Sequence, residues 1–182
     1  MFMGLVGSEM CIRDRLKPHG LWFPVDVSTS SRATIGGMTA NNSCGGRSIR
    51  YGIMRDNVLA IDAWLADGSL ASFGVFDEKA ALPKGRLGNI LPELLAIGRD
   101  NQAEIRNRFP KVLRRVGGYN IDALMPDAMA LRPGGKAGDG INLAHLLVGS
   151  EGTLAFSTAI ELRLWPLPAR KLMGICHFPS FY

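Results

Sequence analysis

Apolar and polar positions alternate from Val58 to Leu65, and the stretch runs into Asp67-Gly68. Alternation with a period of two predicts a half-buried strand, and Asp-Gly is a strong signal for a tight hairpin turn. Leu70 to Val75 supplies the returning strand, so a β-hairpin is expected over 58–75. The pattern then changes. Leu91, Leu94, Leu95, Ile97, Ile105 and Phe109 recur at mostly helical spacing between Gly85 and Phe109. That spacing predicts a helix or two, with Gly98 as the expected break and Pro110 as the stop. Asn142 to Leu147 reads as a short helix leading into a turn at Gly149–Gly152, and Thr153 to Leu164 as one long strand. Pro133 to Gly140 is glycine-rich and reads as a surface loop. Strands on both sides of a helical insertion predict an α+β domain, a mixed or antiparallel sheet with flanking helices. A doubly wound parallel sheet needs regular βα alternation, which is absent.

Composition narrows the class. The chain has 182 residues and is 47% hydrophobic, enough for one domain with a real core. No run reaches the ~18 apolar residues of a membrane span. The net charge is +5. Arg106, Arg108, Lys111, Arg114 and Arg115 cluster near the predicted helix end, where cations complement the helix dipole. A nucleic-acid face is the sharper alternative, but the cluster lacks interleaved aromatics and any nucleic-acid motif, so no such partner is expected. Cys11, Cys44 and Cys176 are single and widely spaced, which argues against a disulfide framework or zinc site and for a reducing compartment. His19, His145 and His177 are isolated and lie in no metal-ligand pattern, so each is read as structural.

The candidate chemistry lies in Thr34-Ile35-Gly36-Gly37-Met38-Thr39-Ala40-Asn41-Asn42-Ser43-Cys44-Gly45-Gly46, followed by Arg50-Tyr51-Gly52. Glycines admit positive φ and close approach of a ligand to the main chain. Successive free N–H groups form a nest for anionic oxygens without a lysine. Asn41 and Asn42 add donors and acceptors suited to the polar edge of a planar ligand. A plain glycine-rich turn that binds nothing accounts equally well for the composition. The segment is neither the G-x-G-x-x-G dinucleotide fingerprint nor a Walker loop. Cys44 reads as a small buried hydrophobe, Tyr51 as a core aromatic or a ring packed on a ligand, and Glu151 as a carboxylate fixing its turn through backbone N–H groups.

The run from Phe23-Pro24-Val25-Asp26 through Ile35-Gly36-Gly37, Asn41, Asn42, Arg50-Tyr51-Gly52 and Ala66-Asp67-Gly68 resembles the second half of the FAD-binding domain of the vanillyl-alcohol-oxidase type flavoproteins. A second block, Leu147-Val148-Gly149-Ser150-Glu151-Gly152-Thr153-Leu154, is similar to that family's Gly-Ser-Glu-Gly-Thr-Leu signature. Gly117-Gly118-Tyr119-Asn120, Glu161-Leu162-Arg163-Leu164 and Pro166-Leu167-Pro168 follow the same style. The likeness covers residues 18–170 and looks most like the D-lactate, glycolate and D-2-hydroxyglutarate dehydrogenases. It implies the second subdomain of a PCMH-type FAD-binding domain, with FAD contacted by Ile35, Gly36, Gly37, Asn41, Asn42, Cys44, Gly45, Tyr51, Gly52, Gly152 and Ile160. It also implies a small 2-hydroxy-acid substrate, bound mainly by a cap domain, and long forms with an iron–sulfur region. No catalytic residue and no metal ligand is assigned. The alternatives are another flavin oxidase or reductase of the same superfamily, or a non-catalytic basic binding module. The expected location is cytoplasmic, or peripheral to the membrane in a longer parent.

The two ends read differently from the middle. Residues 1–15 resemble a translated sequencing-adapter scar and are expected to be a leader foreign to the fold. They lack the basic start and continuous apolar core of a signal peptide. Residues 16–170 are expected to form a partial FAD-binding domain, and residues 171–182, which begin like a strand, the start of a cap domain. On that reading the chain is an internal piece, inactive and at best a weak FAD binder by itself.

Overall fold

The structure is a computed structural model that describes residues 8–77, 79–112, 114–128, 140–170 and 172–180. The expected loop at Pro133–Gly140 lies outside the described residues except for Gly140. In chain order the elements are α1 (Glu9–Leu16), a 3-10 turn (Lys17–His19), β1 (Leu21–Trp22), α2 (Ile35–Ala40), α3 (Ser48–Tyr51), α4 (Met54–Asn57), β2 (Val58–Trp64), β3 (Leu70–Phe73) and β4 (Val75–Phe76). They continue with α5 (Arg86–Asp100), α6 (Gln102–Arg108), a second 3-10 turn (Ile121–Leu124), β5 (Ile141–Asn142), α7 (Ala144–Leu147), β6 (Phe156–Leu162) and β7 (Trp165–Pro166). The fold is α+β, and the strand pairings described are antiparallel: β3-β2-β6 in one sheet, with β1-β7 and β4-β5 as two short ribbons.

The hairpin forms as its pattern predicts. Ile61 pairs with Phe73 and Ala63 with Ala71, and all four side chains are buried. The turn closes through Leu65 N–H on Ser69 O at 2.9 Å, with Gly68 at φ 80°. Asp67 accepts from the Ser69 N–H at 2.9 Å, which explains the Asp-Gly preference locally. β2 also pairs with β6, which is shorter than the strand expected over Thr153–Leu164 because the chain leaves the sheet and forms β7 against β1. On the outer face Trp64 lies between Leu70 and Phe156, and all three are exposed.

α5 covers the sheet with a single stripe. Leu87, Leu91 and Leu95 recur every fourth residue and are buried among the sheet residues, with Leu124 also in that core. Burying one such side chain contributes about 1.5–3 kcal/mol. The expected break at Gly98 is displaced. The helix runs through Gly98 and ends at Asp100, and α6 begins at Gln102. Gly98 is there for packing: a Cβ would stand 2.1 Å from the carbonyl oxygen of Leu124. α6 ends at Arg108, two residues before Pro110.

Residues 8–15, expected to lie outside the fold, are packed onto it. Ser8 bridges Thr34, Glu9 N–H donates to Ala33 O at 2.8 Å, and Met10 N–H donates to Ser30 O at 3.3 Å. Ser8 caps α1 by accepting from Cys11 N–H at 3.4 Å. Glu9 is fully buried and paired with Arg13 one turn on. Burial pushes its carboxyl above the usual carboxylate range; Arg13 and Arg47 oppose that shift, and Asp26 adds to it. At the other end no strand forms over 172–178, where a strand was expected to begin, and Leu172, Met173, Ile175 and Phe178 are exposed.

Two predictions follow from this packing. Leu91→Ala, at a fully buried site, should cost about 2–5 kcal/mol in a denaturant melt. For Glu9 the folded carboxyl holds its proton more tightly than the unfolded one. Its stabilising contribution is therefore present below pH ~4.5 and lost as pH rises through the folded value. Glu9→Gln, which fixes the neutral form, should raise the melting temperature at pH 7 and change it little at pH 4.

Candidate functional site

The glycine-rich segment is not the open turn expected. Thr34 caps a helix: its Oγ1 accepts from Gly37 N–H at 3.1 Å, and its carbonyl accepts from Met38 N–H at 2.9 Å. Gly36 and Gly37 lie in α2 with helical backbone rather than at positive φ. The signals for this helix were Thr34 as a cap and the apolar pair Ile35 and Met38 three residues apart. Gly-Gly concealed them by its low helix propensity. Gly36 is exposed, and nothing lies within 4 Å of where its Cβ would be.

After α2 the chain folds back tightly. Asn42 takes a left-handed conformation, φ 51°, tolerated by asparagine. Ser43 N–H returns to Met38 O at 2.9 Å. Gly45 lies so close to Asp26 that a Cβ would stand 1.7 Å from that residue's carbonyl oxygen. Gly52, at φ 79°, ends α3, and a Cβ there would meet Asp56 at 2.7 Å.

The second glycine block docks against the end of α2. Gly149 N–H donates to Thr39 O at 3.0 Å, and Glu151 N–H donates to Ala40 O at 3.0 Å. Gly149, Glu151 and Gly152 all carry positive φ (83°, 52° and 77°). The side chain of Glu151 is exposed, so its main-chain N–H, rather than the carboxylate expected, ties the turn down. Tyr119 reaches the same turn, its hydroxyl 2.8 Å from Thr153 Oγ1. Gly152 is exposed and bare, like Gly36.

The expected site residues therefore separate. Ile35, Gly36, Gly37, Asn41, Cys44, Gly45 and Gly152 sit on or beside this joined pair of segments. Asn42 is inside: it is fully buried, accepts from Arg55 N–H at 3.0 Å and donates to Arg115 O at 3.3 Å. Its amide serves the fold, which corrects the expectation that it reads a ligand edge. Tyr51 is partly exposed and stands edge-on between Trp22 and Trp165, with centroids at 5.4 and 5.1 Å. Ile160 pairs with Ile61 from the edge strand β6 and packs against the core. His145 is buried, its Nε2 3.1 Å from Val58 O and 3.0 Å from Asn142 Nδ2, a structural histidine as expected. Sequence reasoning missed Arg55, Asn120 and Asp122, which lie behind both segments.

The basic cluster is largely engaged. Arg106 pairs with Asp127 at 2.5 Å, Arg108 with Glu104 at 2.5 Å and Arg115 with Asp122 at 2.5 Å, while Arg114 reaches Gly45 O at 3.3 Å. Among the described residues no group of three His, Cys, Asp or Glu could hold a metal ion, and no helix is long and apolar enough to cross a membrane.

Residues 12–74 match the family model described as an FAD binding domain. That stretch spans α2, both turns after it and the hairpin. The chain is also 34% identical over 171 residues to a D-2-hydroxyglutarate dehydrogenase of Pseudomonas putida, covering 91% of this chain and 16% of that protein. It is 31% identical to a probable mitochondrial D-lactate dehydrogenase of Danio rerio, covering 95% of this chain and 24% of the relative. Against a glycolate oxidase subunit of Bacillus subtilis the identity is 26%, covering 86% and 21%. The chain thus spans a quarter or less of each of these relatives, and each similarity runs over most of its own length.

The geometry separates the roles of two glycines. Gly45→Ala forces a Cβ into the Asp26 carbonyl and should cost about 1–3 kcal/mol, read as a drop in melting temperature. Gly36→Ala, exposed in a helix with open space around it, should gain up to about 1 kcal/mol instead.

Proposed function

We propose that this chain is the FAD-holding part of a flavin-dependent dehydrogenase that oxidises a 2-hydroxy acid of the D-lactate, glycolate or D-2-hydroxyglutarate type. The observation that carries the reading is the docking of Gly149 and Glu151 onto the end of α2, which sets bare Gly36 and bare Gly152 on the two joined segments. Bare main chain on two adjoining segments suits a pyrophosphate and a planar ring, which need close approach more than side-chain charge. On this reading Gly36, Gly37, Asn41, Cys44, Gly45 and Gly152 hold the cofactor. Thr34 keeps the α2 N-terminus in shape, and Tyr119 braces the turn through Thr153.

Bound FAD supplies the electron sink for a hydride equivalent leaving the substrate carbinol carbon. The residues here bind and orient; none is assigned as the catalytic base. The substrate and acid–base groups are placed outside these 182 residues, in a cap domain. The relatives' greater length and the resemblance support that placement. An iron–sulfur region belongs to the same proposal for a longer parent. A basic binding module is disfavoured, because Arg106, Arg108 and Arg115 are already paired with carboxylates.

Titration of the chain with FAD, followed by flavin fluorescence, should show weak, saturable binding. Gly152→Val should weaken it further, because valine both resists φ 77° and covers bare backbone. D-lactate or D-2-hydroxyglutarate should not bleach the flavin in this chain. Absence of saturable binding at millimolar FAD counts against the cradle. Substrate-dependent bleaching counts against placing the acid–base groups elsewhere.

A further inference from the structure

Behind the two glycine-rich segments four residues close a ring. Arg55 N–H donates to Asn42 Oδ1 at 3.0 Å, and Asn42 Nδ2 donates to Arg115 O at 3.3 Å. Arg55 Nη1 and Arg115 Nη2 both donate to Asn120 Oδ1, each at 3.0 Å. Asp122 fixes the two guanidiniums from one side, at 2.9 Å to Arg55 and 2.5 Å to Arg115. Asn120 turns its remaining donor group outward from the ring, to Val148 O at 2.7 Å and His145 O at 3.2 Å. Those are carbonyls of the chain entering the 149–152 turn.

The ring thus holds one glycine segment through Asn42 and the other through Asn120. Gly149 fits beside both amides: a Cβ there would lie 3.2 Å from Asn42 Cβ and 3.6 Å from Asn120 Nδ2. Asn42 and Asn120 have no exposed surface, so neither amide has water to replace a lost partner. Buried networks of this kind act as a unit, since every member left unpaired carries its full desolvation cost.

We propose that the Asn42–Arg55–Asn120–Arg115 ring is the positioning device of the cofactor site, setting the 36–46 and 147–152 segments in one register so that both loosen together when it is opened. The ring touches no cofactor; it acts through the backbone that does. This rests on the FAD reading above only for its effect on affinity, because the joint loosening belongs to the chain itself.

Arg115→Met tests it, with Arg115→Lys as the conservative partner and Phe109→Leu as a control. Phe109 lies under the Arg115 guanidinium, 4.6 Å from ring centroid to Cζ, outside the ring of hydrogen bonds. Two quantities are measured well below each variant's melting temperature: amide hydrogen exchange by segment, and the FAD dissociation constant of the folded protein. Arg115→Met should speed exchange in 36–46 and 147–152 together, leave β2 unchanged, and weaken FAD binding about tenfold, the scale of a lost charge-assisted hydrogen bond. Arg115→Lys should fall between it and the wild type, and Phe109→Leu should leave both readouts alone. Should Arg115→Met fail to fold, Arg115→Lys carries the test, with faster exchange in both segments expected. Exchange that rises only around residues 112–124, or FAD affinity unmoved beside a lowered melting temperature, overturns the proposal. A wild-type chain that does not bind FAD, yet whose two segments loosen together in the variants, removes the FAD reading and upholds the ring.

Discussion

Four buried asparagines hold the irregular parts of this protein together, because main-chain groups taken out of water must find partners. Asn42 donates to Arg115 O, Asn57 to Tyr51 O and Ile53 O, Asn120 to His145 O and Val148 O, and Asn142 to Val58 O and Leu59 O. All four are 2% exposed or less. The segments they serve, 51–59, 115–128 and 140–148, contain turns, short helices and a two-residue strand with few ladder bonds of their own. A side-chain amide, with two donors and one carbonyl, is the neutral group suited to that task. Asn57 and Asn142 use both functions: Asn57 Oδ1 accepts from Trp165 Nε1 at 3.0 Å, and Asn142 Oδ1 from Ala144 N–H at 3.0 Å.

This scaffold explains how so short a sheet can hold the two glycine-rich segments in place. The β3-β2-β6 sheet and α5 supply a dry core, while the amides extend order outward from the start of β2 into the glycine-rich loops. Asn142 and His145 both sit against Val58 O, where β2 begins. Asn120 then passes that order on to Val148 and, through its arginines, to Asn42. A surface of bare glycine backbone has little stiffness of its own, since glycine has the largest conformational entropy to lose. Here the buried amides of Asn42 and Asn120 bond to both segments from behind.

The glycines divide by physical cause. Gly45, Gly98 and Gly140 are required by close backbone approach, with an added Cβ at 1.7, 2.1 and 2.6 Å from a carbonyl oxygen. Gly68 and Gly152 are required by left-handed backbone in open space. Gly36 is required by neither: its backbone is helical and nothing lies within 4 Å of where a Cβ would stand. That distinction is invisible in the sequence, where all these glycines look alike.

Short-range pattern by itself determined the hairpin, the α5 stripe, the α+β class and the FAD-binding likeness. Each depends on neighbours a few residues apart: alternation over 58–65, Asp67-Gly68, apolar residues at mostly helical spacing after Gly85, and glycine blocks in order. The same reading failed where local propensity and tertiary context disagree. Gly36-Gly37 is a poor helix former held helical by the Thr34 cap, and Gly98 is tolerated inside α5 because Leu124 needs the space. Packing of the helix at Glu9 was likewise out of reach, since its partners Ser30 and Ala33 lie across a turn of chain with no periodic signal. Only the tertiary structure decided that Asn42 faces inward, and that Arg55, Arg115 and Asp122 meet at Asn120. Those partners are separated by as many as 73 residues, and chain closure over that distance is won by the core rather than by any local preference.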